Sequence, residues 1–121
     1  MEMKMTNAKA VEQLRRLKEL EQLDLALPAV VSYRVVQAVR GLADALAPYV
    51  EMREKIVKKY AKSGNVVSRE EDPTAFDACS AELEELDRLE IYVEIHKFPF
   101  SLIDGRDLPI KAMFALNFML E

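Results

Sequence analysis

The one histidine, His96, stands two residues after Glu94 in an alternating segment, so the two side chains share a strand face and place an imidazole beside a carboxylate. Proton transfer is the chemistry such a pair performs. A solitary histidine near a strand end is more often a surface or hydrogen-bonding residue, and we expect no catalysis from it. The carboxylates Glu82, Glu84, Glu85, Asp87, Glu90 and Glu94 supply the oxygens that a hard cation wants. They spread around a helix and then switch to a strand, so they do not converge as ligands must, and a solvated acidic face is expected. Cys79 lies among Phe76 and Leu83 at helical spacing with no histidine close in sequence to activate it, which reads as a small buried hydrophobe. Lys55, Lys58, Lys59 and Lys62 fall at i, i+3, i+4 and i+7 and form one basic stripe, suited to phosphates or to an acidic protein surface.

No glycine-rich phosphate loop, CxxC, HExxH or serine-nucleophile motif occurs, and three glycines in 121 residues cannot supply a dinucleotide fingerprint. The sequence therefore predicts no enzyme, no cofactor and no metal. A net charge of -4 argues against general affinity for nucleic acid. The charge is nonetheless divided: Glu51 to Lys62 holds five basic residues against two acidic, whereas Ser68 to Glu94 holds ten acidic against two basic. One cysteine excludes an internal disulfide, and neither a leader's apolar region nor a stretch of roughly 20 apolar residues is visible. A cytoplasmic protein of one domain over residues 1–121, with no membrane segment, is expected.

The elements that must position these residues follow from periodicity. Glu2 to Met5 alternates as a short strand, and Thr6 or Asn7 can cap a helix running to about Gln22 with Val11, Leu14 and Leu17 inward. Pro28 opens a long helix to about Lys62 whose seam runs through Val35, Val39, Leu42, Leu46, Tyr49, Arg53, Ile56 and Tyr60. Pro48 lies inside it, removes a hydrogen bond to Asp44, and predicts a kink near 43–47 rather than a break. If that bend shapes the packing, Pro48→Ala lowers stability. Lys62-Ser-Gly-Asn65 supplies the stop. Asp72-Pro73 caps a third helix to about Asp87, and Leu89 to Ile95 alternates as the clearest strand, its partner being either the Met3–Met5 segment or a second copy. After a loop over 98–108 with a turn at Asp104-Gly105, a last helix from Pro109 carries Met113, Leu116 and Leu120 on one side and Ile110, Phe114 and Phe118 on another. It is expected to be buried between elements or in a subunit contact. The fold class predicted is α+β and predominantly helical: a helical hairpin with a long kinked helix, a third helix, a small sheet and a buried C-terminal helix.

The order "MKMTNAKAVEQLRRL", "LPAVVSYRVVQAVRGL", "YVEMREKIVKKYAKSGN" and "FDACSAELEELDRLEIYVEIHKF" resembles a family of small uncharacterised proteins of tailed phages and prophages. The resemblance is carried by Leu27-Pro28 opening a long helix, Lys59-Tyr60 near its end, and a Glu-Leu-rich helix over 82–86 running into the strand at 90–95. Pro48 departs from the pattern. A phage or prophage origin is what the resemblance implies, and it brings no catalytic residues. The function expected is a non-enzymatic accessory or structural assembly protein acting through protein–protein contact. Its partners would be further copies of itself and other phage assembly proteins, and its candidate surface would be Lys55, Lys58, Lys59, Lys62, Ile110, Phe114 and Phe118. The alternative is a nucleic-acid-associated regulator using the lysine stripe.

Overall fold

In a computed structural model the chain is described over residues 1–61 and 67–121. The expected glycine stop at 62–65 and the side chain of Lys62 fall outside these residues. The chain order is β1 (Glu2–Thr6), α1 (Asn7–Gln22), α2 (Ala29–Tyr60), α3 (Pro73–Arg88), β2 (Glu90–Glu94) and α4 (Ile110–Leu116), with 3-10 turns at Phe100–Leu102 and Asn117–Met119. The fold is predominantly helical α+β with a two-stranded antiparallel sheet.

Local chemistry sets the helix starts. Thr6 accepts a hydrogen bond from the Lys9 amide at 3.1 Å and Asp72 accepts one from the Ala75 amide at 3.0 Å, each satisfying a donor that the first turn leaves free. Pro28 flanks α2 instead of occupying its first helical position, one residue later than the spacing predicts. Helix α2 passes through Pro48 without a break, and Pro48 itself is exposed.

The N-terminal segment, not a second copy, partners the alternating strand: Met3 lies opposite Val93 and Met5 opposite Ile91. These four side chains face the core, while Glu2, Lys4, Tyr92 and Glu94 face outward. Helix α2 crosses this sheet at Gly41, where a Cβ would stand 3.4 Å from the Glu94 carbonyl oxygen. The missing side chain lets helix and strand approach closely, which offsets the cost of glycine in a helix.

The core is built by Leu17 and Leu20 of α1, Val31, Val35, Leu42 and Leu46 of α2, Val93 and Ile95 at β2, and Ala112, Ala115, Leu116 and Met119 at the C-terminal end, closed by Phe98. On α1 the expected Leu17 is buried and Leu14 packs against the core, but Val11 does not join them. Asn7, Ala10 and Gln13 are buried at three-residue spacing, and Val11 is exposed. Small and polar residues take the inner row there because Asn7 is a clamp: its amide nitrogen donates to the Leu86 carbonyl at 2.9 Å, and its backbone N–H donates to the Leu89 carbonyl at 2.8 Å. The C-terminal turn of α3, whose Leu86 carbonyl also accepts from the capping Leu89 amide at 3.3 Å, is thereby tied to the start of α1.

The main core ends on α2 at Leu46 and includes no residue of α3. Beyond it, residues 49–60 of α2 and helix α3 form a two-helix arm in which only Ile56 and Cys79 are fully buried. Of the predicted seam, Val35, Leu42, Leu46 and Ile56 are buried, Val39, Tyr49 and Tyr60 are half-buried, and Arg53 is exposed.

Candidate interaction surfaces

The C-terminal helix has one buried side and one bare side. Ala112, Ala115 and Leu116 are packed inward, while Ile110 and Phe114, one turn apart, remain 73 % and 61 % exposed. Of the two settings expected for this helix, burial between elements or in a subunit contact, the chain itself supplies the first for the inner side, and Ile110 and Phe114 face outward. Phe118 does not join them. The α-helix ends at Leu116 and the chain tightens into a 3-10 turn, which leaves Phe118 half-buried against the core. Phe114 also borders an open groove of about 580 Å³ between α1 and α4, floored by Leu20 and Leu23 and rimmed by Arg15, Arg16 and Lys111. The two arginines already hold carboxylates on their own helix, Arg15 with Glu19 at 2.8 Å and Arg16 with Glu12 at 2.6 Å, so the rim is largely neutralised.

The lysine stripe lies on the arm. Lys55 pairs with Glu51 at 3.3 Å and Lys59 crosses to Glu82 of α3 at 3.2 Å, while Lys58 is exposed. Lys59 is held more strongly protonated than usual by Glu82 and Tyr60, and Glu82 is held below the usual carboxylate range by Tyr60 and Lys59. The acidic helix therefore runs directly beside the stripe, on the same arm. A polyanion approaching Lys55 or Lys59 meets the carboxylates of Glu51 and Glu82 beside them.

A second polar contact fastens the base of the arm. The Tyr49 hydroxyl donates to Asp87 Oδ1 at 2.6 Å, and burial, reinforced by Asp87, raises the phenol above its ordinary value of 10.0. A raised folded value means that the native state holds this proton more tightly than the unfolded chain does. The contribution is fully present below pH ~10 and is lost as pH rises through the folded value. Tyr60 is raised as well, by Glu82 first and by burial second, and adds to the same alkaline slope. Tyr49→Phe is accordingly expected to flatten, without abolishing, the fall in melting temperature above pH ~10. An unchanged slope in thermal melts across that range would contradict it.

The remaining candidates are dispersed. His96 is exposed, and the carboxylate of its neighbour Glu94 accepts from the Met1 ammonium at 2.7 Å, which holds Glu94 below the usual carboxylate range. Cys79 is buried in the arm. Among the described residues, no three histidine, cysteine or carboxylate side chains converge in a way that could hold a metal ion, and no helix is long and apolar enough to cross a membrane. No family model, curated protein or solved structure matches the chain.

Proposed function

We propose that this protein is a non-enzymatic assembly component of phage or prophage origin, working in the cytoplasm through protein–protein contact and as a homo-oligomer. The observation that carries the reading is the bare face of α4. Ile110 and Phe114 are held on a helix whose opposite side is locked into the core, so their exposure is fixed by packing and is not that of a loose terminus. Covering both against a partner would contribute about 1–2 kcal/mol for each side chain. The phage origin rests on the resemblance of the sequence. The regulator alternative has less support, because Lys55 and Lys59 carry carboxylate partners and α3 brings further negative charge alongside.

The test is affinity capture from the source cells with the native chain and with a double variant, Ile110→Ser and Phe114→Ser. Recovery of virion assembly proteins by the native chain, lost with the variant, supports the reading. Capture of DNA with micromolar or tighter affinity at near-physiological salt, or recovery unchanged by the variant, would overturn it.

A further inference from the structure

The arm has a self-complementary face. Along one flank of α2, Met52, Lys55, Ile56 and Lys59 follow at three- and four-residue spacing. Along the adjoining flank of α3, Glu82, Glu85, Leu86 and Leu89 do the same. Met52, Ile56, Leu86 and Leu89 floor an open groove of about 310 Å³ between the helices, in which Met52 is 43 % and Leu89 59 % exposed. Glu82 and Glu85 edge it on the α3 side. On this face α2 presents Lys55 and Lys59 and α3 presents Glu82 and Glu85, with Lys59 and Glu82 3.2 Å apart across the groove and Lys55 3.3 Å from Glu51 on its own helix. The face therefore has an apolar floor with a positive rail of two lysines on its α2 side and a negative rail of two carboxylates on its α3 side, one pair of which, Lys59 and Glu82, meets within the single chain.

We infer that this face binds the same face of a second copy, closing two arms into a four-helix bundle. This deepens the reading of the protein as a self-associating assembly component and rests on it. The charge pattern selects the symmetry. A two-fold axis lying between the layers and running along the helices sets each α2 over the partner's α3, so that opposite rails meet. The other in-plane two-fold sets α2 over α2 and α3 over α3, and opposes like charges. Homodimeric contacts use one patch on both subunits, which a patch carrying both signs satisfies by itself. A bundle of four helices also covers the apolar flanks that two helices leave wet. The opposite flank of the arm, around Val50, Arg53, Glu54 and Val57, has no such separation of charge. Twelve residues of α2 span roughly 18 Å, so the contact lies at the small end of specific interfaces and the dimer is expected to form in the micromolar range.

Sedimentation velocity over a concentration series reads the association. The native chain should reach twice its monomer mass. The double variant Met52→Glu and Leu89→Glu should remain monomeric at every concentration, with an unchanged circular dichroism spectrum because both side chains are exposed in the single chain. Lys55→Glu and Glu85→Lys should each weaken self-association at least tenfold, and an equimolar mixture of these two variants should restore it. A native chain that stays monomeric at hundreds of micromolar overturns the inference, and with it the homo-oligomer in the proposed function. Association that survives Met52→Glu and Leu89→Glu but is lost with Ile110→Ser and Phe114→Ser overturns the arm as the interface and leaves the assembly reading standing. Failure of the mixture to associate overturns the pairing of opposite rails.

Discussion

Phe98→Ala is expected to destabilise the protein by about 3–5 kcal/mol, the range found when a fully enclosed phenylalanine is truncated. For a domain of this size that is a fall in melting temperature of roughly 10–20 °C. Phe98 is 1 % exposed and is the largest side chain that the core encloses completely. Its backbone fastens the C-terminal segment as well, donating to the Met119 carbonyl at 3.0 Å and accepting from the Glu121 amide at 3.1 Å in a parallel bridge with Leu120. The ring and the bridge thus hold the same junction, and a cavity there loosens both the sheet end and the helix that presents Ile110 and Phe114. Phe100→Ala is the control: two residues on and 47 % exposed, it should cost less than about 1 kcal/mol. Urea melts of the two variants give the comparison. Equal losses would place the Phe98 ring outside the core.

Pro48→Ala is expected to raise stability, by about 2 kcal/mol. Proline in a helix interior is about 3 kcal/mol worse than alanine, and the freer unfolded chain of the alanine variant returns only about 0.4–1 kcal/mol of that. The expectation from sequence runs the other way, on the premise that a bend at Pro48 shapes the packing. Pro48 proves to be exposed, and the buried residues on either side of it, Leu46 and Ile56, belong to the inner row. A lower melting temperature for Pro48→Ala would show instead that the path of α2 through this residue sets the last turns against α3.

The three longer helices and the second strand were legible because each combines a sustained period with punctuation that has a mechanism: Thr6 and Asp72 as caps, Pro73 at a first turn, alternation from Glu90 to Glu94. What escaped has physical reasons too. The inner row of α1 continues from the expected Leu17 back through Gln13, Ala10 and Asn7, whose amide holds the Leu86 carbonyl, whereas hydrophobicity alone adds Val11, which is exposed. Phe98 sits in a segment without period, so nothing local marks it as the closing piece of the core. The bare face of α4 could be read from Ile110 and Phe114, but Phe118 was assigned to it only by extending the helix past Leu116. The lysine stripe was visible as a pattern, whereas its partners on α3 required the return of the chain.

The pairing of β1 with β2 has a consequence for synthesis on the ribosome. Strand β1 emerges long before its partner at Glu90–Glu94, and the Phe98 bridge waits for Leu120. The helices have local contacts and form early, but the sheet joins Met3 to Val93 and α4 returns to α1, so the loop-closure entropy of these contacts is met last. Until then the inner faces of α1 and α2 have neither Val93 nor Leu116 to cover them, and the nascent chain carries an open apolar surface until those residues have been added. A chain that stops before Leu116 would therefore remain in that open state rather than form a shortened version of the fold.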